Sequence, residues 1–526
     1  MDEPARDHAE SERQHMRLPI LQRRPYVGDA WPVAWCDPET GDLLLDGRAD
    51  PIRLDPLAGA PGPGHLLSYL EIEMLAKQQK HYVVYLKVGE TAASCPDRAW
   101  YKIPALAGWE VKYRYGSPAR RSAIYLRYGL QIDVRHSPAW FGGDHPLQRM
   151  RMAYGSLRST LEREFGREGD HVTMRGTPAQ TALALLDISL PKDRKGNPHQ
   201  FAPLSDGMRE LLGQVSFQHR HELYRGPDTL PGFTVWDARL AYGAYLRDNP
   251  VGEPTYSKKP AYVEHLPAWY HVRLAISPGY KHIGLAMRLE DRSWPRRGWY
   301  DTWVSEPELR LIRSTHGWSY EIIEGIQWLQ RSPDPLRTWA DRLLGMYLRA
   351  ADLPDPVMSR MLRDAVKRII HGGIGALGRE VGQDSVVIPF GDPVNPGSIQ
   401  EVGPFGYECL VPRPLTQDRL RYRHPQIPAQ IYARQRASMA RFVLATAQPH
   451  ELVGMHTDAM MLARYVGYEP RPPAAIGEYR IVGTLQGPAP APQTWEQLGS
   501  LVGAARRTYG ALSEALYDEP GAEIGE

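Results

Sequence analysis

The chain has 526 residues, 42% of them hydrophobic and 24% charged, with a formal net charge of only +2. That excludes a disordered chain, allows roughly three to five structural units at about 100–200 residues each, and excludes a polycation that holds nucleic acid by bulk charge. Three scattered cysteines, Cys36, Cys95 and Cys409, exclude a disulfide framework and a thiolate zinc site, and 47 Pro with 48 Gly favour turns over a helical bundle.

Residues 1–17 read as a charged, solvated tail without the apolar segment of a signal peptide. No run approaches the roughly 18 apolar residues of a membrane span, so a soluble, unexported, cytoplasmic chain is expected. His81-Tyr-Val-Val-Tyr-Leu-Lys87 and residues 123–133 are rich in β-branched and aromatic residues and read as strands. The apolar spacing then becomes helical over 146–165 and again over 178–190, the latter started by Thr177 as N-cap with Pro178 in the first turn. A polar run over 191–203 reads as a linker. Further strands are expected at Val235-Trp236-Asp237, over 269–276 paired with 282–287, and over 320–325. Ser305-Glu-Pro-Glu308 has the capping-box pattern that opens a helix over 309–314. Helices dominate 336–370, with the glycines after Ile370 expected to terminate the last of them. A Gly/Pro-rich excursion over 375–428 follows, then a helix over 429–446, a strand at Leu452-Val-Gly-Met-His-Thr-Asp458, a Pro/Ala-rich stretch from Gly487, a brief helix, and an acidic C-terminus expected to be disordered.

Asp237 and Asp458 each close a predicted strand, and Lys367 lies on the helix between them. Two carboxylates converging from distant strands can share a pair of divalent cations, the minimum equipment for in-line phosphoryl or nucleotidyl transfer. Taken singly, each acid also fits a strand-terminating turn, and Lys367 an ordinary surface lysine. Gly373-Ile-Gly-Ala-Leu-Gly378 satisfies G-x-G-x-x-G, but a helix precedes it where a dinucleotide fold needs a strand. Arg292, Arg296 and Arg297 near Trp299, and Arg419, Arg421 and Arg423, are candidate phosphate-tracking clusters.

The order of Asp237 with Tyr242, Lys367 with Gly375, and His456-Thr457-Asp458 resembles motifs A, B and C of family B DNA polymerases, in particular the protein-primed branch of phages and linear plasmids. The resemblance spans about residues 20–480 and implies an α/β multidomain fold: a right-hand polymerase with palm, fingers and short thumb behind a ribonuclease H-like, exonuclease-type domain. It implies an exonuclease-like unit over 18–200, palm over 201–350 and 426–480, fingers over 351–380, an insertion over 381–425 and a short thumb with tail over 481–526. Asp237 and Asp458 then become the catalytic acids, binding two Mg2+ or Mn2+ together with the Ala238 carbonyl. Tyr242, Lys367, His371 and Gly375 become the nucleotide-binding set, with Tyr242 beneath the incoming sugar. Tyr224 and Gly226 resemble the Tyr-x-Gly-Gly element that touches template DNA. The implied partners are primer-template DNA, deoxynucleoside triphosphates and a terminal protein primer.

The departures are specific. His456 replaces the first acid of motif C, His371 an asparagine and Ile374 a tyrosine of motif B, and Arg239 and Leu240 the small polar residues of motif A. Asp37, Glu39 and Asp187 match exonuclease acids, but the Asn and Asp expected near residues 85–89 are missing and Leu183 stands where a water-orienting tyrosine belongs. Weak or lost 3′–5′ proofreading follows. A catalytically inactive, polymerase-derived DNA-binding or scaffold protein is the competing class, and an exonuclease without synthesis a third.

Overall fold

The computed structural model describes most residues between 32 and 517; the main stretches outside the description are 55–62, 88–104, 115–121, 167–173, 195–200, 217–220, 277–297, 413–421 and 468–474. The first sheet is built from β1 (Val33–Cys36), β2 (Asp42–Leu45), β3 (Ile52–Arg53), β4 (His81–Leu86), β5 (Ala105–Leu106), β6 (Trp109–Arg114), β7 (Ser122–Arg127) and β8 (Leu130–His136), with α1 (Pro63–Ala76) between β3 and β4. Its order is β3-β2-β1-β4-β8-β7-β6-β5, parallel at β1–β4 and β4–β8 and antiparallel elsewhere. The unbroken apolar run of β4 follows from burial on both faces. Val83 and Tyr85 face one core with Trp35, while Tyr82, Val84 and Leu86 face another with Leu66, Leu70 and Met74 of α1. Residues 123–133 are divided by a two-residue turn: Tyr128 and Gly129 have φ of 48° and 80°, the conformation that closes a tight hairpin.

Then come α2 (Leu147–Phe165), α3 (Pro178–Ser189) and α4 (Asp206–Val215). Thr177 caps α3 as expected, its hydroxyl accepting from the Gln180 N–H at 3.2 Å. Next are β9 (His221–Leu223), β10 (Thr229–Ala238), β11 (Thr255–Lys258), β12 (Ala268–Ile276), β13 (Gly298–Ser305), α5 (Glu306–Ser314) and β14 (Ser319–Gln327). The last four strands form a separate sheet, β11-β14-β12-β13. The partner expected for β12 over 282–287 lies outside the described residues, as do Arg292, Arg296 and Arg297; β13 and β14 flank β12 instead. The Ser305–Glu308 capping box is formed in full.

Two packed helices, α6 (Arg337–Ala351) and α7 (Pro356–Leu377), precede β15 (Gln383–Pro389), β16 (Ile399–Gly403) and β17 (Gly406–Pro412), an antiparallel sheet where only a Gly/Pro-rich excursion was expected. Of those glycines Gly378 alone ends α7, as its C-cap; the helix runs through Gly372, Gly373 and Gly375 to Leu377. Gly372 and Gly373 serve close packing instead. A Cβ at Gly372 would stand 2.9 Å from the backbone of Ala179 on α3, and one at Gly373 2.9 Å from both Ala182 Cβ and the Trp339 ring.

The chain closes with α8 (Gln426–Thr446), β18 (Leu452–His456), β19 (Ala459–Leu462), β20 (Tyr479–Pro490) and α9 (Trp495–Tyr517). The central sheet is β20-β10-β19-β18-β9. Over the stretch expected to form a short thumb, β20 pairs with β10 along nearly its whole length and α9 spans 23 residues. One face of this sheet (Phe233, Val235, Met461) packs on Leu498 and Ala505 of α9; the other (Trp236, Met455, Met460) packs on Met439 and Val443 of α8. No described helix is long and apolar enough to cross a membrane.

Candidate active site

Antiparallel pairing of β10 with β19 sets Asp237 opposite Ala459, the residue after Asp458. The Ala238 N–H also points at the Asp458 carbonyl, 3.4 Å away. The two acids expected to converge therefore sit on neighbouring strands at one end of the central sheet, Asp237 in the penultimate position of β10 and Asp458 in the turn between β18 and β19. Burial, and next the Asp458 carboxylate, push Asp237 up to about 6, against the pull of Lys367, Arg506 and Arg480. Two like charges in a low-dielectric corner cannot both ionise cheaply without a cation.

Lys367, on α7, acts on Asp237 as a nearby positive charge. One turn on, His371 shelters its Nε2 from solvent, and that nitrogen has no hydrogen-bond partner among the described residues. Burial, followed by the charges of Lys367 and Arg368, pushes His371 down to about 3, so the ring is neutral at neutral pH. Gly375 is an exposed position of the same helix with open space beside it.

After Ala238 the backbone turns sharply. Leu240 adopts a left-handed φ of 48° and starts a 3-10 turn over Ala241–Tyr245. A buried leucine in that region costs roughly 1–2 kcal/mol and holds only because its surroundings fix it. The turn buries the Tyr242 ring edge-on against His371, with centroids 5.0 Å apart, and against Tyr432 of α8 at 5.3 Å. The Tyr242 hydroxyl is buried without a partner among the described residues. Tyr242, Lys367 and His371 are therefore brought together beside the acids.

Other residues singled out from the sequence are placed elsewhere. The Tyr224 N–H donates to the Val453 carbonyl at 2.9 Å, and its hydroxyl meets the Met455 sulfur at 3.5 Å, so it packs on the central sheet. Gly226, Glu39, Arg419 and Arg421 lie outside the described residues, and Arg423 is described just before α8. Asp37 follows β1, nearly buried, with the Lys87 ammonium 3.3 Å from its Oδ2. A lysine thus occupies the ground where the resemblance asked for an acid. Asp187, on α3, accepts a hydrogen bond from the Tyr422 hydroxyl. Among the described residues no group of three or more His, Cys, Asp and Glu side chains gathers as a metal cage.

Three contributors to the site were not expected from the sequence. Arg506 of α9 places its Nη2 3.9 Å from Asp237 Oδ2. Arg480 of β20 adds positive charge, and Tyr479 beside it stacks on Phe442 with centroids 4.1 Å apart and planes within 7°. Only β20 and α9 bring these groups near Asp237, and neither was expected to adjoin the site.

A central sheet carrying an acid pair at one end, a helical pair and a separate mixed sheet before them make up a mixed α/β architecture. Among solved structures the chain is similar to Phi29 DNA polymerase complexed with primer-template DNA, with a TM-score of 0.50 and 12% identity over 80% of this chain and 78% of that one. It is likewise similar to the orthorhombic crystal form of Phi29 DNA polymerase, with a TM-score of 0.50 and 14% identity over 86% and 85% of the two chains. At these identities the likeness is one of fold. No protein-family model matches the sequence, and no curated protein does.

Proposed function

We propose that this chain is a template-directed DNA polymerase that transfers nucleotides from deoxynucleoside triphosphates to a primer 3′-hydroxyl. The observation that carries the reading is the pairing of β10 with β19, which sets Asp237 and Asp458 side by side in a fold shared with a DNA polymerase. On this reading the central sheet is the palm, α6 and α7 the fingers, and α9 with the end of β20 the thumb.

The donors fit Mg2+ or Mn2+. Magnesium is a hard cation that takes one or two carboxylates and completes its shell with water and substrate phosphates, so an all-protein cage is not required. Asp237 and Asp458 supply the carboxylates, and the Ala238 carbonyl is the third candidate. When bound, such ions activate the attacking hydroxyl and neutralise charge on the leaving phosphates. Lys367 faces the same corner and supplies fixed positive charge for a triphosphate. The buried Tyr242 ring forms a rigid floor beside the acids, suited to excluding a bulkier sugar. The neutral His371 supports that floor edge-on.

Primer extension with Mg2+ or Mn2+ tests the reading. The wild type is expected to extend, and Asp237→Ala or Asp458→Ala to lose about a hundredfold or more, since each removes a group worth several kcal/mol to the transition state. No extension by the wild type with either metal favours the scaffold reading, for which His456 and His371 speak. In the same assay a 3′-labelled single strand should remain intact, because Lys87 neutralises Asp37.

A further inference from the structure

Asp237 shares its face of β10 with Val235, because side chains alternate along a strand. That face packs on α9 through Leu498 and Ala505. The helix comes close because β20 has a glycine beneath it. A Cβ at Gly483 would stand 3.0 Å from the carbonyl carbon of Ala505 and from the backbone nitrogen of Arg506. The Arg506 backbone is therefore seated on the sheet while its side chain extends toward the acid pair.

The contact it makes there is loose. At 3.9 Å from Asp237 Oδ2 the guanidinium is an ion pair but beyond hydrogen-bond length, and it is 53% exposed. Lys367 and Arg480 also act on Asp237, so cationic groups from α7, β20 and α9 gather at one corner. A divalent cation held by the acids would add to that positive charge. A polyphosphate offsets it, and arginine is the side chain best shaped to bind one, through two parallel N–H donors.

We propose that Arg506 is a phosphate-binding residue of this site, resting on the Asp237 carboxylate when no divalent cation is bound and moving to the phosphates of the substrate when one is. The proposal rests on the two-carboxylate metal site argued above. It makes α9 part of the substrate site: Arg506 and a cation would both draw on the Asp237 carboxylate, so with that carboxylate engaged the guanidinium would be left to the polyphosphate.

Two affinities of the full-length chain, measured without DNA, test this: that for Mn2+, by electron paramagnetic resonance of the free ion, and that of the Mn2+-loaded chain for inorganic tripolyphosphate, by calorimetry. Arg506→Ala is expected to bind Mn2+ about threefold to fivefold more tightly, the scale of a half-exposed ion pair, and tripolyphosphate several-fold more weakly. Arg506→Lys should stay near the wild type in both, and Arg507→Ala, on the exposed neighbouring position, should change neither. Opposite movement of the two affinities is not produced by a general loosening of α9. If Asp237→Ala loses Mn2+ binding while Arg506→Ala leaves either affinity unchanged, the Arg506 role is overturned and the metal site stands. If the wild type binds no Mn2+, both fall.

Discussion

Asp237 carries an electrostatic cost in the folded chain. Its folded pKa of about 6 lies above the ordinary 3.8, so between those values the folded state binds the proton that the unfolded state has released. Stability therefore falls as pH rises through that window, and the penalty is complete above pH 6 or so. Without divalent cations, Asp237→Asn is expected to raise stability at pH 7 by about 1–3 kcal/mol, with the gain vanishing near pH 4. Urea denaturation at the two pH values checks this; an equal effect at both refutes it. The acids themselves were legible in the sequence, because a carboxylate ending an apolar strand is a local pattern. Arg506 was not, since nothing around it on α9 announces that the helix will lie over Asp237.

Among the elements, α7 shows how far a local rule reaches. Glycine lowers helix propensity, so the run after Ile370 read as a stop. Tertiary contact overrides propensity there, because burying α7 against α3 and Trp339 requires positions without a Cβ. The outcome differs by position. Gly372→Ala is expected to destabilise by about 1–3 kcal/mol through overpacking against the Ala179 backbone, whereas Gly375→Ala, with nothing within 4 Å of its added methyl, is expected to gain up to about 1 kcal/mol from propensity. Chemical denaturation of the two variants should shift in opposite directions; loss of stability in both would mean that Gly375 also packs. By contrast, α3 and α5 were legible at their starts, because Thr177, Ser305 and Glu308 cap through hydrogen bonds that span only three residues.

Across the whole molecule, long-range ties among the described residues join the parts, and two of them bear on the central layer. One core runs from Trp35 and Tyr85 of the first sheet, through Trp339 and Ile369 of the helical layer, to Leu240 and Tyr242 beside the acids. The second tie is the ion pair of Arg436 on α8 with Glu308 on α5, 3.0 Å apart with side chains 3% and 0% exposed. Glu308 also closes the α5 capping box, so the same carboxylate anchors the four-stranded sheet's helix to the central layer. Arg436→Met takes the guanidinium away from that buried carboxylate and is expected to cost about 3–5 kcal/mol. A melting curve that loses the β11–β14 unit first would place the damage at this junction, whereas a change below about 1 kcal/mol would show that water reaches Glu308.

What the sequence determined by itself was whatever depends on neighbours a few residues away: strand and helix periodicity, the helix caps, the acids Asp237 and Asp458 at strand ends, and Lys367 on a helix between them. Tertiary structure alone decided that β20 joins the central sheet, that Gly372 and Gly373 sit inside α7, that Lys87 meets Asp37, and that Arg506 reaches Asp237. The reason is physical. Local patterns are set by backbone hydrogen bonds of short span, while the partners of a charge are chosen by burial of apolar faces such as Leu498 and Ala505, whose contacts on the sheet include Phe233 and Val235, far back in the chain.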